Sequence, residues 1–407
     1  MQDFFLARQP ILNRQENLVA FELLFRSSQT NRAAIINDTQ ATAEVLLNAF
    51  GELGIASVLG AHQGFINVGA SLLHSDVIEL LPPQKVVLEL LETIEINEAL
   101  VTRCRELKTK GYTLALDDVT HLNDGLRELL PLVAIVKLDL LAIHPAQLGG
   151  LLRELRTHPV KLLAEKVETR AQVTDCLELG FDLFQGYYFA RPELMSGKKV
   201  SPAKLALLKV LALMMSGAEI EKIEEAFKAH ADLTFNLLRL VNSAAIGLTR
   251  KINSLRHGLA LLGRRPLMRW VQLLVYSAEG NASVVSPLMT MAATRGKLLE
   301  LLAEQQNSRD ADYPDRAFMT GILSLAHVAF TMPLPEVITR LGVHDEVENA
   351  ILHGTGILGE LLKLCELLES GDTASVESWL RQHPQFSLDD IHQAELTALA
   401  WANSIAL

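Results

Sequence analysis

Short β-rich runs alternate with segments of helical periodicity over about the first 190 residues, and this alternation limits the fold more than any other feature. The runs are continuously apolar, which predicts a parallel sheet covered by helices on both faces. A doubly wound sheet and a (β/α) barrel both meet that requirement. The candidate strands are Leu18–Leu24, Gly64–Val68, Val86–Leu91, Thr113–Asp117, Val133–Leu138, Lys161–Ala164 and Phe184–Phe189.

Acidic and amide residues near the carboxyl ends of these strands favour the barrel. They are Glu22, Asn67, Glu89, Asp117, Asp118, Asp139, Glu165 and Gln185. In a (β/α) barrel the carboxyl ends of the strands meet at one mouth, where barrel enzymes place their chemistry. A doubly wound dinucleotide-binding sheet would carry a glycine-rich loop after its first strand, and the sequence has none. We therefore expect a TIM-like (β/α) barrel.

Two helices between the strands have readable ends. Asn97 is a candidate N-cap and Gly111 a candidate left-handed stop for the first helix. Thr169 and Gly180 have the same roles for the second. Both segments carry an apolar stripe at helical spacing, which predicts helices that pack against the sheet.

The sequence changes character near residue 200. Ser201 followed by Pro202 has the pattern of a helix start, and leucine-rich stripes at helical spacing replace the β-rich runs from there on. We therefore predict an α/β barrel over residues 1–200 and an all-α helical domain over residues 201–407.

Composition excludes several classes of protein. A formal net charge of −11 argues against general nucleic-acid binding, which depends on clustered Lys and Arg. The three cysteines, Cys104, Cys176 and Cys365, lie far apart and predict no disulfide framework. No segment reaches about 18 consecutive apolar residues, so we expect no membrane insertion. These features are typical of a cytoplasmic protein.

The acidic residues also suggest a chemistry. Close carboxylate pairs repel by roughly 4 kcal/mol at an effective dielectric of about 20, so a cluster of them needs protons or cations. Oxygen ligands without a converging histidine or cysteine suit Mg²⁺ or Mn²⁺ rather than zinc. The adjacent pair Asp117 and Asp118 can place one carboxylate between two ions, as a two-metal phosphodiester hydrolase requires.

The order of the motifs resembles the EAL domain family of cyclic di-GMP phosphodiesterases, in the variant joined to HDOD domains. The matching segments are RQPIL at 8–12, FELLFR with Glu22, Leu24 and Arg26, FINV with Asn67, VLELLE with Glu89 and Glu92, LALDD with Asp117 and Asp118, VKLD with Lys137 and Asp139, LLAEKVET with Glu165 and Glu168, and FQGYYFARP with Gln185. The HDOD resemblance rests on the segment 237–270, with Asn242, Ser243, Ser254, His257 and Gly263.

The resemblance implies a role for each residue of the barrel mouth. The residues implied to hold a first metal ion are Glu22, Asn67, Glu89 and Asp117, and Asp117 and Asp118 would help to hold a second. Glu165 is implied as the general base or a ligand near the attacking water, with Lys137 and Gln185 orienting that water. The residues expected to contact the nucleotide are Gln9, Pro10, Arg26 and Asp139.

The resemblance also implies an activity and partners. The reaction would be hydrolysis of cyclic di-GMP to the linear dinucleotide pGpG with two Mg²⁺ or Mn²⁺ ions. A homodimer is expected, with an HDOD domain that regulates the barrel or binds an unidentified protein partner. Control of motility or biofilm formation is typical of cyclic di-GMP signal transduction.

Three departures from the family pattern leave alternatives open. The loop after Asp118 reads VTHLND instead of a glycine- and serine-rich segment, leucine replaces a threonine between Glu89 and Glu92, and Lys166 replaces a glycine. A slow phosphodiesterase and a catalytically silent cyclic di-GMP sensor or scaffold acting through HDOD both agree with these changes. A hydrolase in the second half would rest on the dipeptide His344–Asp345 alone.

Overall fold

The computed structural model describes residues 4–27, 59–186, 188, 202–228, 237–238, 242, 252, 254, 256–257, 263–276, 286–306 and 310–405. The chain divides into two compact units. The first comprises Met1–Phe189 and Glu369–Glu377, and the second comprises Ala190–Leu368 and Ser378–Leu407. Each unit is described separately below.

The first unit contains a closed eight-stranded barrel in which neighbours in the chain are neighbours in the sheet. Its strands are β1 (Phe4–Asn13), β2 (Leu18–Ser27), β3 (Gln63–Val68), β4 (Val86–Leu90), β5 (Thr113–Leu116), β6 (Ile135–Asp139), β7 (Lys161–Glu165) and β8 (Leu183–Gln185). Strands β2 to β8 run parallel, while β1 is antiparallel to both β2 and β8. The predicted α/β barrel is confirmed.

One buried apolar residue from every strand fills the interior of the barrel. These residues form a single cluster: Ile11, Ala20, Phe65, Val87, Ala115, Ile135, Leu163 and Leu183. Because alternate residues of a strand point to opposite faces, the residues two positions away on each strand also point inward. The interior is therefore a packed core on which a second layer of side chains rests.

The strands predicted from the sequence did not include β1. A tight turn joins β1 to β2, and the Asn13 side chain accepts hydrogen bonds at 3.0 Å from the backbone N–H groups of Gln15 and Asn17. An antiparallel hairpin needs only such a short connection, whereas parallel neighbours need a crossover. The expectation of a parallel sheet therefore misses this strand.

Five helices follow strands in the first unit: α1 (Ala70–Leu73), α2 (Glu98–Thr109), α3 (Asp124–Leu129), α4 (Pro145–Leu155) and α5 (Arg170–Glu178). The predicted caps are confirmed. Asn97 accepts a hydrogen bond from the Leu100 backbone N–H at 3.0 Å, and Thr169 forms a capping box with Gln172. Gly111 and Gly180 have φ angles of 92° and 78°.

The second unit is helical throughout its described residues. The helices after residue 201 are α6 (Pro202–Met215), α7 (Ile220–Lys228), α8 (Arg264–Leu274), α9 (Pro287–Gln305), α10 (Tyr313–Leu323), α11 (Ala326–Phe330), α12 (Leu334–Leu341) and α13 (Asp345–His353), followed by α14 (Gly356–Ser370), α15 (Thr373–Gln382) and α16 (Leu388–Ile405). Helices α14 and α15 contain residues of both units, because Glu369–Glu377 belong to the first. Helix α9 packs against α10 and α16. None of the described helices is long and apolar enough to cross a membrane.

Candidate metal centre at the barrel mouth

The polar residues of the mouth form a second layer directly above the apolar core. In β2 to β8 each lies two residues after the core residue of its own strand: Glu22, Asn67, Glu89, Asp117, Lys137, Glu165 and Gln185. In the antiparallel β1 the corresponding residue, Gln9, lies two residues before Ile11. The two-residue period of a strand therefore brings eight polar side chains from eight strands to one level of the barrel.

Lys137 lies at the centre of this layer and is 1% exposed. Its Nζ atom is 2.8 Å from Glu89 Oε1, 2.8 Å from Asp117 Oδ1 and 3.1 Å from Glu165 Oε1. The fourth carboxylate, Glu22, has its Oε1 atom 3.6 Å away. We call Glu22, Glu89, Asp117 and Glu165 the inner cluster.

The inner cluster changes the proton affinity of its members. Burial lowers the pKa of Lys137, but the surrounding carboxylates raise it by a larger amount. The pKa of Lys137 therefore lies well above its usual range. Burial raises the pKa values of Glu89 and Asp117, and Lys137 opposes that rise. Burial also raises the pKa of Glu165 to about 8. One ammonium group therefore does not compensate four buried carboxylates.

Hydrogen bonds between side chains hold the remaining members of the layer. Gln185 donates through Nε2 to Glu22 Oε2 and, at 2.8 Å, to Gln9 Oε1. Asn67 donates through Nδ2 to Glu22 Oε1 at 3.2 Å. Each amide thus turns its nitrogen toward a neighbouring acceptor and keeps its oxygen free for another partner.

Several buried oxygens in the layer have no hydrogen-bond donor among the described residues. They are Asn67 Oδ1, Glu89 Oε2, Glu165 Oε2 and Gln185 Oε1. Buried oxygens of this kind are costly unless a donor or a cation satisfies them. Carboxylate and amide oxygens are the ligands that Mg²⁺ and Mn²⁺ prefer. The residues present therefore fit a divalent cation.

A second group of carboxylates lies at the edge of the mouth. Glu92, Asp117 and Asp118 offer oxygen atoms that all lie within 4.8 Å of one another, and no other such group occurs among the described residues. We call these three residues the outer cluster. Asp117 belongs to both clusters, so its carboxylate can lie between two ions as the sequence predicts.

Two residues at the rim have left-handed backbone conformations. Asp118 has a φ angle of 46° and Lys166 one of 54°. The Lys166 ammonium group pairs with Asp139 Oδ2, and the Leu141 backbone N–H donates to Asp139 Oδ1 at 2.9 Å. Burial raises the pKa of Asp139, but the hydrogen bonds from Lys166 and from the backbone lower it below its usual value.

A cavity of about 760 Å³ opens beside the outer cluster. Its wall includes Leu90, Ile96, Leu116 and Leu126, with Glu92, Asp117 and Asp118 at one side. The segment 119–124, which departs from the expected family pattern, also lines it. The altered loop therefore lies next to the acidic mouth.

Comparisons with known proteins give a consistent picture. The protein-family model of the EAL domain matches residues 1–192, and the family model of the HDOD domain matches residues 203–354. The Bacillus subtilis (strain 168) "Uncharacterized protein YuxH" is 32% identical over 411 residues, with 98% of each chain covered. This chain belongs to the family that joins an EAL domain to an HDOD domain. The resemblance inferred from the motifs is confirmed.

Another relative of this EAL–HDOD protein is "Cyclic di-GMP phosphodiesterase CdgJ" of Vibrio cholerae, which is 28% identical over 409 residues and covers 100% of this chain and 94% of its own. Among solved structures, Klebsiella pneumoniae BlrP1 in a complex with calcium and cyclic di-GMP is 26% identical, with a TM-score of 0.39. That match covers 47% of this chain and 56% of the BlrP1 chain.

The structure places the other predicted site residues in the EAL barrel as follows. Pro10 lies in β1 opposite Phe21 of β2 and is half-buried. Arg26 belongs to β2, but its side chain lies outside the described residues. Sequence reasoning did not assign a metal to Glu92, although the VLELLE segment that contains it was recognised. It also left open what Lys166 contacts.

The HDOD unit offers a structural explanation for its His344–Asp345 dipeptide. His344 is the N-cap of α13, where its Nδ1 accepts a hydrogen bond from the Glu346 backbone N–H at 3.2 Å. Asp345 lies in the first turn, where a negative charge is favoured by the helix dipole. Both residues therefore have a capping role.

Asn242, from the HDOD signature, joins two segments of that unit. Its side-chain amide donates to the Leu238 and Ile252 carbonyls at 2.7 Å and accepts from the Ile252 backbone N–H at 2.7 Å. Ser243 lies outside the described residues. The amide of Asn242 therefore satisfies backbone groups rather than a ligand.

Proposed function

We propose that this protein is a cyclic di-GMP phosphodiesterase that hydrolyses one phosphodiester bond to give pGpG. The observation that carries the proposal is the convergence of the inner cluster on Lys137, with unsatisfied oxygens above a closed barrel core. The name of the relative CdgJ supports the substrate. The acidic mouth needs bound cations before it can accept an anionic phosphodiester.

Glu22, Asn67, Glu89 and Asp117 would hold one Mg²⁺ or Mn²⁺ ion, and the outer cluster would hold the second. When bound, these ions would neutralise charge on the phosphodiester and lower the pKa of the attacking water. Asp117 would contribute to both sites because it belongs to both clusters. The amide donors of Asn67 and Gln185 keep the Glu22 carboxylate in place.

Glu165 would act as the general base. Burial raises the pKa of its carboxyl group to about 8, so Glu165 is a stronger base than an ordinary glutamate. The water oxygen would form a bond to phosphorus as the bond to the ribose 3′ oxygen breaks. The water proton would pass to Glu165, and the leaving oxygen would take up a proton to give the linear dinucleotide.

The remaining mouth residues would position the reacting groups. Lys137 holds three inner carboxylates within 3.1 Å of its ammonium group, and Gln185 orients Glu22. Gln9, Pro10, Arg26 and Asp139 would contact the nucleotide. We also propose that the helical domain from about residue 201 regulates the barrel or binds a protein partner, and that the protein acts as a homodimer in the cytoplasm.

A nucleotide sensor is the second candidate function. The observation that favours it is the ion pair between Lys166 and Asp139. This pair occupies one oxygen of a carboxylate at the mouth and adds an ammonium group at the rim. Such a protein would bind cyclic di-GMP without cleaving it. Turnover and affinity must therefore be measured on the same preparation.

The test is chromatographic analysis of products after incubation of the full chain with cyclic di-GMP and Mn²⁺. We expect pGpG from the wild-type protein and a fall of at least about 100-fold in rate for Glu22→Gln, since this change removes a charged metal ligand and replaces one of the two accepting oxygens with an NH2 group. Glu178→Gln, at an exposed position on α5, is the matched control and should keep full activity. Binding of the nucleotide without any pGpG would contradict the enzyme and support the sensor.

A further inference from the structure

Lys166 has an unusual position for a lysine. It follows Glu165 at the carboxyl end of β7, and its φ angle of 54° lies in the left-handed region. That region favours glycine, because a Cβ atom comes too close to the following carbonyl oxygen. A long cationic side chain is therefore present where the backbone alone would favour no side chain.

The contacts of Lys166 tie its charge to the mouth. Its ammonium group pairs with Asp139 Oδ2, although 56% of the side chain is exposed. The same charge interacts favourably with Asp118 of the outer cluster and with Glu165 of the inner cluster. Lys137 lies among the carboxylates of the inner cluster, and Lys166 adds positive charge at the rim.

A fixed ammonium group at this place opposes the binding of a second cation. The outer cluster attracts a divalent ion through the charge of its three carboxylates, and a nearby positive charge reduces that attraction. The ion pair also occupies one oxygen of Asp139, which is otherwise a carboxylate within reach of the mouth. The ammonium group of Lys166 therefore weakens the attraction of the outer cluster for a divalent ion.

We propose that Lys166 is a tethered counter-charge that sets the affinity of the outer cluster for its divalent cation. This inference rests on the proposed function, because it assumes that the mouth binds metal ions. The outer cluster then binds its divalent cation less tightly than its three carboxylates alone would. The activity of the protein then depends on the concentration of the metal ion over the range in which the outer cluster fills.

The test is calorimetric titration of the full, chelator-treated chain with Mn²⁺ in the absence of nucleotide. Lys166→Gln removes the charge but keeps a Cβ atom at the left-handed position, so the backbone strain is unchanged. We expect this variant to bind the Mn²⁺ ion of the outer cluster about tenfold more tightly than the wild type does, the order expected for a unit charge near a divalent ion. Lys166→Arg keeps the charge and should stay within about twofold of the wild type.

Lys161→Gln is the matched control because Lys161 lies on the same strand at the end away from the mouth and is exposed. It should leave Mn²⁺ binding unchanged. Mn²⁺ binding that Lys166→Gln leaves unaltered or weakens would overturn this inference and leave the proposed function intact. An absence of Mn²⁺ binding in every variant would overturn both.

Discussion

Lys137 explains how four carboxylates share one buried layer before any metal ion binds. Its ammonium group contacts the whole inner cluster, yet one positive charge leaves most of the negative charge uncompensated. The raised pKa values of Glu89, Asp117 and Glu165 reflect this excess. The layer therefore contains one built-in positive charge, that of Lys137, and needs further cations to offset its remaining negative charge.

Sequence patterns predict the inner cluster well but the rim less well. Glu22, Glu89 and Glu165 lie on strands, where the two-residue period decides which way each side chain points. Glu92 and Lys166 lie beyond strand ends, where contacts depend on loop dihedral angles that no periodicity encodes. The loop conformations place Glu92 in the outer cluster and Lys166 against Asp139.

His327 gives a pH prediction for the helical unit. Burial lowers the pKa of its imidazole below 6.5, a backbone hydrogen bond at Ser324 partly opposes this, and Arg295 lowers it further. Because the unfolded chain binds the proton more tightly, the stabilising contribution is present above pH 6.5 and is lost as the pH falls through the folded-state pKa.

The variant His327→Gln should therefore reduce the loss of stability between about pH 7 and pH 5, by less than about 1 kcal/mol because the group is only partly buried. Urea unfolding at several pH values measures this. His353→Gln, at an exposed position in the same unit, is the control. An unchanged pH dependence in His327→Gln would show that another group is responsible.

At the scale of elements, the seven parallel strands were predictable and the antiparallel β1 was not. Continuous apolar runs followed by an acidic residue mark β4, β5 and β7, while β1 carries polar residues and faces two antiparallel neighbours. Because β1 runs in the opposite direction, its residue in the polar layer, Gln9, comes two positions before the core residue Ile11 instead of two positions after it. The sequence alone does not identify Gln9 as a member of this layer, since that requires the position of the layer in the barrel.

Gly186 provides a prediction about the end of β8. Its φ angle is 149°, and a Cβ atom at this position would lie 1.9 Å from the Val167 carbonyl oxygen. The Val167 backbone N–H also donates to the Gln185 carbonyl at 2.9 Å, so the two loops cannot move apart without losing that bond. Gly186→Ala should destabilise the barrel by about 3 kcal/mol.

Thermal or urea unfolding measures this effect, and Gly149→Ala is the matched control. Gly149 lies inside α4, where an added Cβ would meet nothing within 4 Å. Alanine there should stabilise the helix by about 0.5 to 1 kcal/mol. The two glycine variants are thus expected to change stability in opposite directions, and a stable Gly186→Ala protein would refute the close approach to Val167.

At the scale of the whole molecule, the change from β-rich runs to helical stripes correctly predicted two kinds of architecture in one chain. The described part of the second unit contains helices and no strand, and its described residues include no group of three metal-binding side chains. Cys104, Cys176 and Cys365 are buried, and none of them forms a disulfide.

The central claim is that water, handled by the barrel mouth, cleaves cyclic di-GMP. Its most direct test is hydrolysis by the full chain with Mn²⁺ in water enriched in ¹⁸O, followed by mass spectrometry of the product. We expect pGpG with one ¹⁸O atom in its 5′ phosphate, formed by the wild type and at least about 100-fold more slowly by Glu165→Gln. No linear dinucleotide, or a product without the heavy oxygen, would contradict the account.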